Sequence, residues 1–190
     1  KIKENSIITT AKNKIKMFKE HSFKEIFKYF FIKKFKKFGK INLFFSSKKD
    51  SELIYLLKDL LTSTKNLSEF SINFQNFNFE ELNLNDFLQG IEKNKTIKKL
   101  KLENISNKIP DEVYKSIFNS VRKNKFIVTL DLTSFFNEYS ISAFLFFSDF
   151  LKKNEEIKTL YIEKEYSSAL NKEKNEKILE ILSKKNKENF

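Results

Sequence analysis

The pattern of apolar positions repeats itself along this chain. The stretch NKTIKKLKL at 94–102 returns thirty residues later as NKFIVTLDL at 124–132, and again as NEEIKTLYI at 154–162. Aligned on that motif, Leu67, Ile97, Ile127 and Ile157 form one column, and Phe70, Leu100, Leu130 and Leu160 a second. Ile72, Leu102, Leu132 and Ile162 form a third. The alternation across the last two columns predicts a short strand with one face buried. Upstream, Leu57, Phe87, Ile117 and Phe147 align, as do Leu61, Ile91, Val121 and Leu151. A spacing of four inside a longer segment is helical. Each unit therefore reads helix, turn, strand, loop. A unit of this size cannot bury its apolar face alone, so neighbours must stack.

The residues between the elements agree with this division. Asn94, Asn124 and Asn154 fall where the chain must leave each helix, and Asn tolerates the left-handed conformation that ends helices. Pro110-Asp111-Glu112 opens the helix that carries Ile117, with proline and acids at the favoured end. One more unit precedes these: Phe23, Ile26, Phe27, Phe30 and Phe31 stand thirty before Leu53, Leu56, Leu57, Leu60 and Leu61. Its strand, Ile41 and Leu43, is one residue out of step. At the other end Ile178, Ile181 and Leu182 start a further helix. The expected division is a basic cap or tail at 1–22, units near 23–52, 53–82, 83–112, 113–142 and 143–172, and a terminal helix over 173–190.

The pattern L-x-x-L-x-L, following a helix that ends in Asn, resembles a leucine-rich repeat of the ribonuclease-inhibitor type. The rhythm is also similar to that of the terminal lobe of the tropomodulins, which caps actin filaments. The resemblance covers roughly residues 23–190. It implies an α/β leucine-rich-repeat solenoid of about five helix–strand units, with parallel strands on the concave face and helices on the convex face. Where the family has an asparagine at the turn after the strand, this chain has Gln75, Ile105, Phe135 and Glu165. Phenylalanine is the expected filler of that gap.

Composition changes the picture in two places. The apolar load is unusual, with 23 Phe, no Trp and one Met, and the Phe and Leu columns are expected to be core. The net charge of +12 is uneven, because residues 1–50 carry 15 Lys against Glu4, Glu20, Glu25 and Asp50. Arg122 is the only arginine. The excess of Lys, Asn, Ile and Phe is what an AT-rich genome produces, so part of the basicity is codon usage. With no cysteine, disulfides, thiolate metal sites and cysteine nucleophiles are excluded. No apolar run is long enough for a membrane span. Starting at Lys1 rather than Met, the chain reads as a fragment or processed product of a longer protein.

Catalysis finds little material. His21 is the only histidine, and Gly39 and Gly90 are the only glycines, so no phosphate-cradling loop can be written. Glu80-Glu81 and Glu155-Glu156 read as solvated loop residues. No catalytic residue, metal ligand, cofactor or small-molecule substrate is expected.

Binding is the better use of these residues. The outward strand positions should be Glu69, Ser71 and Asn73; Lys99, Lys101 and Glu103; Thr129, Asp131 and Thr133; and Thr159, Tyr161 and Glu163. From this concave strip Lys99, Lys101, Asp131 and Tyr161 are the candidate protein-binding residues, since an aromatic among paired charges on a rigid surface can make a hot spot. The stretch FKEIFKYFFIKKFKKFGK at 23–40 supplies a second candidate, a basic segment for phosphate or an acidic surface, with Lys28, Lys33, Lys34, Lys36, Lys37 and Lys40. Its Phe face is already committed to the next unit, which weighs against a membrane surface. The expected function is a non-catalytic protein-interaction or scaffolding module in a larger assembly, intracellular and cytoplasmic. The alternative is a ribonucleoprotein component touching RNA phosphates through those N-terminal lysines, non-specifically and with strong salt dependence.

Overall fold

A computed structural model describes residues 37–44, 54, 56–75, 77, 79, 84–104, 109–135, 140–162, 176, 177 and 180. The strands are β1 (Lys40–Phe44), β2 (Glu69–Asn73), β3 (Lys99–Glu103), β4 (Thr129–Ser134) and β5 (Thr159–Ile162). Between them lie α1 (Leu57–Ser63), α2 (Asn85–Lys93), α3 (Asp111–Lys123) and α4 (Ile141–Lys153). The strands form one parallel sheet in chain order, β1-β2-β3-β4-β5. Each step along the chain is therefore one step across the sheet, as in a leucine-rich-repeat solenoid. The helices stack in the same order behind it.

Every column of the repeat lands in the core. Phe70, Leu100 and Leu130 are fully buried in adjacent strands, as are Ile72, Leu102 and Leu132. Leu67, Ile97 and Ile127 are buried at the corner before each strand, and Leu57, Phe87, Ile117 and Phe147 on the helices. Cover thins in the first and last described units, where Leu43 and then Ile157, Leu160 and Ile162 are half-buried. The step at the first unit is resolved by the pairing: Ile41 faces Phe70 and Leu43 faces Ile72, so that repeat is one residue shorter. Each buried Phe contributes roughly 1.5–3 kcal/mol relative to exposure. The helix of the first unit, residues 23–31, lies outside the described residues, as does most of the expected terminal helix; Glu176, Lys177 and Glu180 of the latter are helical and exposed.

The asparagine column is where expectation and structure part. Asn94, Asn124 and Asn154 do end the helices, but with φ of −67°, −76° and −90° they are extended, not left-handed. Their side chains take over the work instead. Asn124 Oδ1 accepts from the amides of Phe126 (2.7 Å) and Ile127 (3.0 Å), turning the chain into the next strand. Its Nδ2 donates to the carbonyls of Ile91 and Asn94, both 2.7 Å, in the preceding repeat. Asn94 repeats the arrangement, accepting from Thr96 and Ile97 and donating to Leu61. Both asparagines are buried, so these bonds satisfy side-chain groups with no access to water. An asparagine ladder therefore exists, before the strand.

At the turn after the strand, phenylalanine fills the space as expected in two units. Phe135 is fully buried, with its ring centroid 5.4 Å from Tyr114 and 6.1 Å from Phe74. Phe74 occupies the equivalent layer two repeats earlier, and the buried Asn104 lies in the repeat between them. Gln75 is half-exposed, and Ile105 and Glu165 lie outside the described residues. The β3–β4 register shifts between Lys101 and Glu103, so that Glu103 faces Ser134. The extra residue in β4 is how the chain accommodates the large ring behind the strand.

Caps and close contacts complete the stack. Pro110 stands just before α3 with extended backbone, as expected of the proline-acid run. Ser140, not singled out by pattern, caps α4 by accepting from the Ala143 amide at 3.0 Å and donates to Asp111 of α3 at 2.6 Å. Gly90 is where α2 meets α1: a Cβ there would lie 3.0 Å from the Lys58 Cα and 3.0 Å from Leu61 Cδ1.

Two stability measurements check this account. Asn124→Ala should cost on the order of 3 kcal/mol in urea unfolding, because several buried backbone groups lose their partners at once. Gly90→Ala should destabilise by roughly 1–3 kcal/mol through overpacking, although the same change in an exposed helix would gain up to about 1 kcal/mol.

Candidate functional site

The parallel register sorts the outward side chains into rows across the strands. One row runs Lys40, Glu69, Lys99, Thr129, Thr159, and the next Asn42, Ser71, Lys101, Asp131, Tyr161. All four candidate residues of the concave strip are thus brought together on three adjacent strands. The physical cause is simple: period-2 strands with one buried face must present their remaining side chains on the other.

Charge along these rows is paired. Lys40 Nζ lies 3.3 Å from Glu69, and Lys99 Nζ 3.8 Å from Asp131 Oδ2. Lys101 Nζ lies 2.6 Å from Glu103 Oε1. Lys99 also sits over the Tyr161 ring, 5.3 Å from its centroid. Asp131 is further held by Thr133, whose amide and hydroxyl both donate to Oδ1. The hydrogen bond to Glu103 raises the Lys101 ammonium above its ordinary pKa over the opposing effect of burial, and the charges of Glu103 and Asp131 add to the rise.

The strip is drier than a plain strand face. Ser71, Asn73 and Asp131 are buried, although they stand at outward strand positions. Asn73 Oδ1 accepts from the Gln75 amide at 2.8 Å and closes β2. Asp131 is therefore a residue that positions Lys99, while Tyr161, 47% exposed, is the group a partner would meet. Phe44 is equally exposed at the far end of the third row. Glu163 lies outside the described residues.

The basic N-terminal candidate is reached only at its edge. Lys28, Lys33, Lys34 and Lys36 lie outside the described residues, as does His21. Lys37 is exposed. Lys40 stands at the head of the concave strip in its ion pair with Glu69. Among the described residues no cluster of three or more His, Cys, Asp or Glu could hold a metal ion, and no helix is long and apolar enough to cross a membrane.

Comparison with known proteins agrees on the fold. No protein-family model matches this chain, and no curated protein matches it significantly. Among solved structures, the tropomodulin C-terminal domain of Caenorhabditis elegans superposes with a TM-score of 0.54 at 13% identity, covering 84% of this chain and 95% of that one. The structure of Leiomodin-1 Actin-Binding Site 2 gives 0.59 at 16% identity, covering 83% and 91%. At these identities the likeness is one of fold: a leucine-rich-repeat-like stack.

The Lys101 environment predicts a pH signature. A lysine whose folded pKa is raised adds stability that is present below about pH 10.4 and is lost as pH rises through the folded value. Glu103→Gln should therefore lower stability at pH 7 by no more than about 1 kcal/mol. The difference from the parent chain should shrink in urea titrations made above the lysine pKa.

Proposed function

We propose that this chain is a non-catalytic protein-interaction module whose concave strip receives a protein partner, in the manner of a scaffold within a larger assembly. The repeats are read as the ribonuclease-inhibitor type, on the strength of one helix and one strand per thirty-residue unit. The observation that carries the functional reading is Tyr161: a half-exposed aromatic fixed against Lys99, on a sheet whose register leaves its neighbours no freedom to move aside. Such a ring is already ordered before binding, so little entropy is lost when a partner covers it. The ion pairs around it give the strip a fixed charge pattern that selects partners.

The structural neighbour described as an actin-binding site makes filamentous actin the first partner to try, and a cytoplasmic setting goes with that choice. The RNA alternative draws no support from the comparisons, and four of the six lysines it would use lie outside the described residues.

Co-sedimentation with actin filaments tests the proposal directly. The parent chain should pellet with filaments, and Tyr161→Ala should weaken the association roughly tenfold or more, as loss of a central aromatic does. Lys99→Gln should weaken it less. Binding untouched by both changes would remove the concave strip as the contact. Failure of the parent chain to bind would remove actin as the partner.

A further inference from the structure

The charge of the repeats, close to neutral when counted along the chain, is separated in space. All four described helices end, and the strands β2–β5 begin, along one rim of the stack. From the last helical turn to the start of the following strand, residues 64–68, 93–98, 122–128 and 152–158 hold ten Lys or Arg against two acids, Glu155 and Glu156. At the helix starts the charge is reversed, with Asp59, Asp86, Asp111 and Glu112 in the first turns.

Helix dipoles account for part of this. Cations in the last turn complement the negative end of a helix, which is where Lys93, Arg122, Lys123, Lys152 and Lys153 stand. They do not account for Lys65, Lys95, Lys98, Lys125 and Lys158, which lie beyond the helices. The ladder places four of these, Lys95, Lys98, Lys125 and Lys158. The amide of Lys98 donates to Ser68, that of Val128 to Lys98, and that of Lys158 to Val128, at 2.8–3.0 Å, so successive repeats are in step at this rim. The Asn124 side chain, bonded to the Asn94 carbonyl, sets Lys95 and Lys125 in step likewise. Lys95 and Lys125 therefore stand one repeat apart, and Lys98 and Lys158 two, on a step between the roughly 4.8 Å of strand spacing and the roughly 10 Å of helix packing.

Internal pairing leaves much of that charge available. Lys123 meets Glu92 at 3.2 Å, Lys125 meets Glu156 at 3.3 Å and Lys153 meets Asp149 at 2.8 Å. Lys65, Lys93, Lys95 and Lys98 are exposed and have no carboxylate partner among the described residues. We propose that this lysine rim is a second binding surface, separate from the concave strip, and that it takes an acidic polypeptide segment. Two features favour polypeptide over nucleic acid. Phe126, Val128 and Ile157 are half-exposed among the lysines and offer apolar contact, but the Phe126 ring is covered by Lys98 at 5.2 Å and is not free to stack a base. Glu155 and Glu156 close one end of the rim and would repel a continuous phosphate backbone, whereas a polypeptide can present a neutral or basic residue there.

The test is fluorescence anisotropy of a labelled Glu- and Asp-rich peptide carrying two phenylalanines, with a single-stranded RNA of equal charge run in parallel. The rim variant replaces Lys65, Lys95, Lys98 and Lys125 with Gln. A comparator removes the same charge elsewhere, by Lys12→Gln, Lys14→Gln, Lys16→Gln and Lys19→Gln. Circular dichroism and the urea midpoint establish that both remain folded. At physiological salt the rim variant should bind the peptide roughly tenfold more weakly, which is what four exposed ion pairs together supply, and the comparator should lose less than about twofold. Equal losses in both variants would show attraction to net charge alone and overturn the proposal. So would absence of peptide binding by the parent chain, or tighter rim-dependent binding of the RNA. Tyr161→Ala should leave peptide binding unchanged, so failure at the rim and failure at the concave strip are read separately.

Discussion

The stack depends on one buried side chain per repeat. A helix that ends and a strand that begins two or three residues later leave amide and carbonyl groups facing a core with no water in it. Asn124 answers both at once: its oxygen takes the amides of Phe126 and Ile127, and its nitrogen reaches the carbonyls of Ile91 and Asn94 in the repeat before. The first pair of bonds sets the turn, and the second locks one repeat to its neighbour. No other side chain of that size offers donors and acceptors on one planar group. Everything outward of this corner inherits its register, including the rows of the concave strip and the lysines of the rim.

The apolar columns were legible in the sequence because burial demands the same residue class at the same place in every unit. Leu67, Ile97 and Ile127, or Phe87, Ile117 and Phe147, announce their position by repetition alone. The asparagines announced their position equally well but not their conformation. A residue that ends a helix can do so by a left-handed backbone or by a side chain that replaces the missing bonds, and both choices favour Asn. Only the partners tell them apart, and the partners are thirty residues away. The same limit applies to the β3–β4 shift. Phe135 stood out as the wrong residue for a small polar slot, but it is accommodated by an extra residue in β4 and packs against Tyr114 on the preceding helix. Neither is visible in the local pattern.

The candidate site was legible as a set of outward positions and illegible as an environment. Period-2 spacing named Lys99, Lys101, Asp131 and Tyr161, and the register brings them together as expected. Their unequal exposure could not be read, since it depends on which long side chain lies over which short one. Asp131 is buried and pairs with Lys99, whereas Tyr161 is 47% exposed. The lysine rim was hidden for another reason. Counting charge along the chain averages the acidic helix starts with the basic helix ends, and the sum is near zero. The repeat itself held the signal, in the Asn-Lys pairs at 94–95 and 124–125, once each is placed at the same corner of its unit.

A parallel solenoid turns every small sequence bias into a surface. Acids at three of the four helix starts and cations at three of the four helix ends are minor adjustments to single dipoles, worth a few tenths of a kcal/mol apiece. Because all helices of the stack point the same way, these adjustments accumulate on opposite edges instead of cancelling. In an up-and-down bundle the same residues would alternate and leave no net field. The topology that lets the asparagine corner repeat therefore also separates charge, leaving fixed ion pairs and a ring on the concave strip and an accumulated positive potential along the rim.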